Sequence, residues 1–227
     1  MIKTYIIKGM KRDLKFEEIS DGKLYTKDDL AKISCNGCLN CSECCKVTDD
    51  TILLDPYDIF SLKKALDKDF NELLGSVINL QVIDSVITPF LSKSDTGYCN
   101  FLDEKGRCKI HDYRPGFCRL FPLGRIYKDD GNFNYFIQIH ECPYPNKSKI
   151  KIKSWLGIER LSLYEEYIKK WHEITKNITL ASEEGLSEPA LKEVNLKLLN
   201  TFFLTPFDTD KDFYGQFNER LDKYMLN

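Results

Sequence analysis

The sequence predicts an α+β protein, in which an irregular metal-centred domain of short strands, turns and helices precedes a C-terminal helical extension. Cysteines are confined to the first two thirds of the chain, turn residues divide residues 99–142 into short segments, and helical periodicity follows residue 145. We therefore expect a strand and helix lead-in over residues 1–34, a cysteine-cluster metal-binding domain over 35–146 and the helical extension over 147–227.

The composition narrows the range of partners and compartments. The 227 residues include 33 basic and 35 acidic side chains, a formal net charge of -2, which predicts no nucleic-acid or membrane partner. Apolar runs are too short for a secretory signal or a membrane span, so we expect a cytoplasmic protein. Structural disulfides are rare in that reducing compartment, and the nine cysteines are an odd number. The thiols are therefore expected to be free to bind metal.

The segments before the second cysteine group are expected to be short. The pattern predicts strands over 4–7 and 14–18, a turn over 20–22, and one or two helical turns over 27–33 with Thr26 as N-cap. After the first cysteine group, Asp55 offers an N-cap and Pro56 a first helical position, so a helix should run to about Leu66. A short strand over 51–54 should precede it, and a short helix over 69–74 and an extended stretch over 77–91 should follow it.

The segment from residue 99 to residue 142 is rich in turns. Turn residues recur at 103–106, 114–116 and 128–132, and a hairpin is expected between 124–128 and 133–139. Because so little apolar area is available to pack these segments, bound metal should contribute folding free energy there.

Beyond a boundary near residues 147–153, the pattern is helical. Apolar residues recur at helical spacing from an N-cap at Ser154 to Trp171, and further helices are expected over 187–203 and 210–225. The aromatic stripe Trp155, Tyr164, Tyr167 and Trp171 is interpreted as core. These helices could pack on the metal domain or dock a protein partner.

The first cysteine group is a C-x-x-C-x-x-C-C run formed by Cys38, Cys41, Cys44 and Cys45, with Cys35 as an additional candidate. Disulfides and a thioredoxin-type redox pair are the alternatives, but the compartment and the absence of a strand-to-helix junction disfavour them. Metal ligation is favoured. The adjacent Cys44 and Cys45 should not easily face one small ion, which suggests two metals, one polynuclear cluster or one thiol that is not a ligand.

A second group, Cys99, Cys108, Cys118 and Cys142, supplies enough sulfur for a second site or to complete a shared one. Zinc sites with four cysteines usually pair two C-x₂₋₄-C knuckles, and a second knuckle is missing here. Successive two-residue gaps, with a remote cysteine followed by Pro143, are typical of chains that hold a cubane. An iron–sulfur [4Fe–4S] cluster is therefore preferred, and Zn²⁺ is the alternative.

Basic side chains could offset the negative charge of such a site. Arg114 and Arg119 flank Cys118 and are candidates for this role, with ordinary surface salt bridges as the alternative. His111 and His140 lie near cysteines in sequence but are weaker ligand candidates, because enough thiolates are present. His172 is interpreted as a packing or surface residue.

The combined cysteine motifs resemble the YkgJ family of cysteine-cluster proteins, and the flagellin lysine methylases share a related cluster. The matching segments are the Cys38 to Cys45 run, Cys99-Asn-Phe-Leu, Gly106-Arg-Cys108-Lys-Ile-His-Asp-Tyr-Arg-Pro115, Cys118-Arg-x-Phe-Pro122 and Cys142. The resemblance implies a zinc- or iron-chelating domain with eight ligands: Cys38, Cys41, Cys44, Cys45, Cys99, Cys108, Cys118 and Cys142.

Two functions are consistent with this pattern. The first is a metal-binding protein that acts in electron transfer or as an accessory protein. The second, by analogy with the flagellin lysine methylases, is a cluster-containing protein lysine N-methyltransferase, although the sequence has no Gly-rich loop of the kind that follows a strand and binds a nucleotide-like cofactor. The sequence does not decide whether the protein is an enzyme, and no catalytic residue is identified.

Overall fold

The fold combines small two-stranded sheets with helices that become long only near the C-terminus. The computed structural model describes residues 3–7, 10–35, 41–46 and 52–226, so Cys38 lies outside the described residues. The strands are β1 Lys3–Ile7, β2 Met10–Leu14, β3 Leu30–Ser34, β4 Ile78–Ile83, β5 Val86–Leu91, β6 Leu123–Tyr127, β7 Phe133–Ile137 and β8 Ser148–Lys151. The helices are α1 Phe16–Ile19, α2 Glu43–Lys46, α3 Pro56–Leu66, α4 Phe70–Leu73, α5 Gly116–Leu120, α6 Ile152–Leu156, α7 Leu161–Glu183, α8 Glu188–Leu199 and α9 Phe213–Leu226.

Strand pairing is antiparallel throughout these sheets, which join β1 to β2, β3 to β8, β4 to β5 and β6 to β7. The mixture of small sheets and C-terminal helices confirms the predicted α+β class. Within the described ranges, no helix is both long enough and apolar enough to cross a membrane.

The N-terminal predictions are partly wrong. A strand does cover residues 4–7, but the second strand ends at Leu14, and the predicted strand over 14–18 is instead the helix α1. Phe16 and Ile19, three residues apart, pack against the fully buried Phe136, and the Phe16 and Phe136 rings lie edge to face at 5.5 Å. The helical turn brings both residues to one face, which an extended segment could not do.

The predicted helical turns over 27–33 are also wrong. Leu30–Ser34 forms β3, and Ala31 and Ile33 are fully buried at alternate positions, as the two-residue period of a strand requires. Thr26 does not cap a helix, because its amide and hydroxyl both donate to the Asp29 carboxylate, at 2.6 and 2.7 Å. Pairing with β8, more than 100 residues away, therefore overrides the local helical preference.

The helix predicted from the Asp55-Pro56 signal is confirmed as α3. The Asp55 carboxylate accepts from the Asp58 amide at 3.0 Å, and the Asp58 carboxylate accepts from the Asp55 amide at 3.1 Å, which forms a capping box. The short helix predicted over 69–74 is confirmed as α4. The strand predicted over 51–54 is reduced to a single bridge between Leu53 and Phe90, and residue 51 lies outside the described part of the chain.

The two extended regions form hairpins. The stretch predicted over 77–91 folds into β4 and β5, and the hairpin predicted around the Asp-Gly turn is confirmed as β6 and β7. Gly131 occupies the left-handed region in that turn, at φ +77°. The β6–β7 hairpin also bridges to the N-terminal segment through Tyr25 and Tyr135.

The helix predicted from Ser154 is interrupted. It forms α6 and α7, separated by Gly157 and Arg160, whose positive φ angles of +57° and +56° cannot continue a right-handed helix. The other two C-terminal helices are confirmed, and α8 ends in a π-helical turn over Asn200–Leu204.

Aromatic side chains hold these helices together. The Tyr167 ring lies edge to face with Phe217 at 4.7 Å and with Phe213 at 5.1 Å, and Phe202 lies 5.4 Å from Phe217. Tyr164 and Tyr167 are buried, which confirms that part of the predicted stripe as core. Each such ring contributes roughly 1.5–3 kcal/mol through removal from water.

Candidate metal centre

One cavity of about 980 Å³ receives side chains from both cysteine groups. The described cysteines on its wall, none of which forms a disulfide, are Cys35, Cys41, Cys44, Cys45, Cys99, Cys108, Cys118 and Cys142. Cys38 is outside the described residues, so its predicted role stays a prediction. The chain therefore folds back from residue 142 toward residue 35, as expected if both groups serve a common centre.

The first group is spread along a short path into the cavity. Cys35 follows β3 and is 3% exposed, Cys41 lies just before α2, and Cys44 and Cys45 belong to α2. The Sγ atoms of Cys44 and Cys45 are 3.9 Å apart. Two thiolates on one tetrahedral zinc ion would be about 3.8 Å apart, given Zn–S bonds of about 2.3 Å. The expectation that these adjacent residues cannot easily face one ion is therefore wrong.

A backbone hydrogen bond joins the second group to the first. The Cys99 amide donates to the Cys45 carbonyl at 2.9 Å, and Cys99 also bridges to Lys93. Cys108 is held by a bridge to Leu102. These single bridges, rather than a continuous sheet, position both thiols at the cavity.

Cys118 is positioned by α5, and a buried carboxylate holds the start of that helix. Asp58 accepts a hydrogen bond from the Gly116 amide at 2.8 Å, and Asp58 is 2% exposed. Gly116 lies directly beneath the Tyr164 hydroxyl, which a Cβ atom at this position would strike. α3 and α7 therefore together fix the position of Cys118.

The Cys44 thiol differs electrostatically from its neighbours. A hydrogen bond from Cys45 lowers the pKa of Cys44 to about 7, with further help from backbone amides and the positive charge of Arg114. The same hydrogen bond, together with burial, raises the pKa of Cys45. The pair therefore holds one proton between two sulfurs near neutral pH.

Three further thiols share this electrostatic environment. Burial raises the pKa of Cys99, Cys108 and Cys118, most strongly for Cys118, and the negative charge of Cys44 raises each of them further. Cys44, Cys45, Cys99, Cys108 and Cys118 thus form one interacting group, here termed the thiol cluster. Metal binding to this cluster must displace protons, so affinity should fall as the pH falls.

The two candidate arginines occupy different environments. The charge of Arg114 helps to lower the pKa of Cys44 and offsets part of the rise that burial causes in the pKa of Cys108, so this guanidinium acts directly on the thiol cluster. Arg119 donates to the carbonyls of Arg114, Gly157 and Asp112, so it ties backbone segments together.

The remaining candidates lie at the edges of the cavity. The exposed His111 ring contacts the Arg114 guanidinium, and the His140 Nε2 hydrogen-bonds the Glu18 carbonyl at 3.1 Å. The Cys142 carbonyl accepts from Lys147 at 2.7 Å. His172 stacks on Tyr127 with ring centroids 3.5 Å apart, which confirms its interpretation as a packing residue.

The donor types of the thiol cluster fit a thiophilic metal, because thiolates are the ligands that zinc and iron–sulfur clusters prefer. The sulfur atoms of the described cysteines do not surround one common metal position. Among the described residues, no group of three cysteine, histidine, aspartate or glutamate side chains is arranged so that it could hold a single metal ion. The donor chemistry therefore fits a metal centre, and the Cys44 and Cys45 sulfurs have the spacing of two ligands on one ion.

The sequence predictions missed the roles of two residues, Asp58 at the start of α5 and Arg125 on the cavity wall. Asp58 appeared only as an ordinary position in a helix, although its place three residues after Asp55 is the signal for a capping box. Arg125 belongs to a hairpin strand, and nothing local indicates that its side chain faces the cavity.

Comparison with known proteins finds one family model and one curated protein, each of which matches part of the chain. No solved structure matches the chain. A curated protein, the Kunitz-type serine protease inhibitor PILP-2 of Bungarus multicinctus, is 39% identical over 62 residues, which cover 25% of this chain and 71% of the inhibitor. Kunitz domains are disulfide-dense, whereas the described cysteines here are free thiols, so this similarity carries no functional argument.

The family comparison supports metal binding. Residues 35–143 match the CxxCxxCC family model, described as a "Putative zinc- or iron-chelating domain". This segment contains both cysteine groups and the residues between them, as the resemblance to cysteine-cluster proteins implied. Over residues 35–143, just under half of its length, this chain is therefore similar to the CxxCxxCC family of zinc- or iron-chelating domains.

Proposed function

We propose that this protein binds a [4Fe–4S] cluster at the thiol cluster and acts in electron transfer or as an accessory protein. The observation that carries the proposal is the convergence of five electrostatically interacting thiols, from three separate segments, on one cavity wall. Cys35, Cys41 and Cys142 line the same cavity and are further candidate ligands, as is Cys38 from its position in the sequence motif.

The spacing of the thiols favours a cluster over a single ion. Four thiolates on one zinc ion must lie within about 4 Å of one another, because each Zn–S bond is about 2.3 Å. Thiolates on a cubane bind different iron atoms and can be further apart. The Cys44 and Cys45 sulfurs, at 3.9 Å, have the single-ion spacing, but no group of three or more possible ligands among the described residues is arranged to hold one ion, whereas five thiols interact electrostatically.

The charge of the surroundings is consistent with a thiolate-bound centre. Four thiolates around a [4Fe–4S]²⁺ core, or around Zn²⁺, leave a net charge of about −2, which nearby cations and amides must offset. The charge of Arg114 already acts on Cys44 and Cys108. The Cys44 pKa of about 7 supplies one thiolate without an external base.

Zinc is the second candidate, and the Cys44 to Cys45 distance favours it. A zinc ion on this pair would need two further thiolates from elsewhere on the cavity wall. Cys41 is a candidate because it is near in the chain, and Cys99 is another because its amide donates a hydrogen bond to the Cys45 carbonyl. The two candidates differ in colour, sulfide content and magnetism, so they can be separated directly.

The experiment is anaerobic purification of the full chain, followed by iron, sulfide and zinc analysis, absorption spectroscopy and EPR after reduction. A [4Fe–4S] protein should contain about four iron and four sulfide per chain. One or two zinc ions per chain without sulfide would show that the centre is a zinc site and not an iron–sulfur cluster. Folded, colourless protein without either metal would overturn both.

Single cysteine replacements test the ligands. Cys118→Ser and Cys41→Ser should each lower metal content and thermal stability, because hydroxyl oxygen is a poor ligand for these metals. Ser154→Ala changes a cavity-lining residue without removing a thiol and is the matched control. A Cys118→Ser protein with full metal and an unchanged melting temperature would exclude Cys118 as a ligand.

A further inference from the structure

The cavity continues beyond the thiol cluster toward α7. At that end its wall carries Arg125 and Tyr127 from β6, and Trp171, His172 and Lys176 from α7, here termed the cationic wall. The total volume of about 980 Å³ lies at the upper end of the range for small-molecule sites, about 300–1,000 Å³. A metal centre at the thiol cluster would occupy only the opposite end.

Arg125 is the most informative residue of the cationic wall. Its guanidinium lies 5.4 Å from the Phe133 ring and 5.7 Å from the Tyr164 ring. The hydroxyls of Tyr127 and Tyr135 lie within hydrogen-bonding range of it, but its Nε atom is buried without a hydrogen-bond partner. Among the described residues, no carboxylate forms a salt bridge with it. Buried guanidinium groups are normally paired with an anion, because an unpaired buried charge is costly.

The nearby carboxyl groups are engaged elsewhere or exposed. Burial raises the pKa of Asp55, and the charge of Arg125 offsets only part of that rise, while the carboxylate already accepts hydrogen bonds from the Asp58 amide and from Tyr167. Asp84 and Asp129 also line the cavity, and both are exposed to solvent. The interior of this end therefore presents an unneutralised guanidinium.

Positive charge and aromatic surface coincide at this end. His172 stacks on Tyr127, with ring centroids 3.5 Å apart and planes inclined by 17°. Burial lowers the pKa of His172, and the positive charges of Lys176 and Arg125 lower it further, to about 4. The imidazole is therefore neutral at pH 7, and the two permanent cations beside it define the local potential.

We propose that the cationic wall binds a small organic carboxylate, whose anionic group pairs with Arg125 and whose apolar or aromatic body lies against Tyr127 and Trp171. The planar guanidinium matches a carboxylate through two parallel hydrogen bonds. Apolar residues such as Val86, Ile87 and Ile168 line the same cavity and suit an apolar body. A phosphate ligand would require more donors and less apolar surface.

The test uses the full-length, metal-containing protein and the probe 3-phenylpropanoate. Trp155 and Trp171 both line the cavity and are the two tryptophans of the chain, so their fluorescence reports occupancy. We expect a saturable change with 3-phenylpropanoate and at least about tenfold weaker binding of the neutral 3-phenylpropanamide, because charge-assisted pairing is lost. Inorganic phosphate should give no saturable change.

Substitutions in the cationic wall test whether 3-phenylpropanoate binds there. Arg125→Met should weaken 3-phenylpropanoate binding by at least about tenfold, and Arg125→Lys by less, because a charge remains without the planar fork. Arg107→Met is the matched control, since the exposed Arg107 lines the thiol end of the same cavity. It should leave binding unchanged. If Arg125→Met does not fold, Lys176→Gln should still weaken binding by about threefold.

Three results would overturn the proposal: no saturable change with 3-phenylpropanoate up to about 10 mM, equal affinity for the acid and its amide, or equal weakening by Arg125→Met and Arg107→Met. Metal content is measured on the same samples. A protein that lacks metal but discriminates the acid from the amide would separate this inference from the proposed cluster, which would then be the part that fails.

Discussion

The thiol region, residues 92–122, and the helical region, residues 161–226, are stabilised in different ways. In the thiol region the buried apolar side chains are few, and single bridges at Cys99 and Cys108 replace a sheet. These side chains are Phe101, Ile110, Pro115, Leu120 and Pro122. The helical region instead packs an extended set of aromatic rings around Tyr167 and Phe217. Apolar burial therefore accounts for the helical region, whereas the thiol region requires a further source of stability.

We expect metal ligation to supply the stability that apolar burial does not supply in the thiol region. A centre that binds thiolates from α2, from the Cys99 to Cys108 segment and from α5 would cross-link segments that otherwise share little apolar area. The comparison thus predicts that metal and folding are coupled in one region and largely independent in the other.

Metal removal should produce the largest and most local effect. In protein stripped by a chelator, amide hydrogen exchange in residues 92–122 should accelerate by more than about tenfold, because the cross-links that suppress local opening are lost. Exchange in residues 161–226 should change little. Hydrogen-exchange mass spectrometry of matched metal-loaded and metal-free samples measures both regions at once.

Phe217→Ala provides the converse control. Phe217 is 1% exposed, and its removal should cost about 3–5 kcal/mol of unfolding free energy through loss of burial and a residual cavity. Metal content per chain should stay at the wild-type value. If metal removal instead accelerates exchange equally in both regions, the distinction between them is wrong.

Asp58→Ala should disturb the junction between the regions. The substitution removes the acceptor of the Gly116 amide at 2.8 Å and of the Asp55 amide at 3.1 Å, and leaves these buried donors unpaired. We expect a loss of about 2–4 kcal/mol in unfolding free energy, and lower metal content because α5 carries Cys118.

Asp58→Asn separates the hydrogen bond from the charge. Burial and the charge of Asp55 raise the pKa of Asp58 well above its ordinary value, so a neutral side chain suits the site. The asparagine oxygen can still accept from Gly116, but its NH₂ group cannot accept from the Asp55 amide, so the loss should be about 1 to 2 kcal/mol and smaller than for alanine. Equal losses for alanine and asparagine, measured by denaturant unfolding, would show that the Gly116 hydrogen bond is not the cause.

His172→Phe should have no effect on the pH dependence of stability above pH 6.5 and should act only in acid. The pKa of His172 is about 4 in the folded protein against an ordinary value of 6.5, mainly because of burial, so the unfolded chain binds more protons between these values. The corresponding stability is complete above pH 6.5 and is lost as the pH falls toward 4, by up to about 3 kcal/mol.

Phenylalanine can keep the stacking on Tyr127 but cannot be protonated. The difference in unfolding free energy between wild type and His172→Phe should therefore shift in favour of the variant as the pH falls from 6.5 to 4. A difference that is constant across this range would show that His172 does not titrate in this window.

The elements that could be predicted from the sequence are those whose signals lie within a few neighbouring residues. The capping signal at Asp55 and Pro56 predicts α3, and the Asp-Gly turn predicts the β6–β7 hairpin, because both signals act within a few residues. The strand β3 could not be predicted, because its partner β8 lies more than 100 residues away. The cysteine spacing indicates a metal site, but the contributions of Asp58 and Arg125 depend on packing between distant elements.

The contact between Gly116 and Tyr164 has an evolutionary consequence. The Tyr164 hydroxyl occupies the space that a side chain at position 116 would need. The two positions should therefore vary together: a larger residue at 116 becomes tolerable only where the residue at 164 is smaller. An alignment of chains with this architecture should show that covariation, which would link sequence change around the cysteines to sequence change in a helix that carries none.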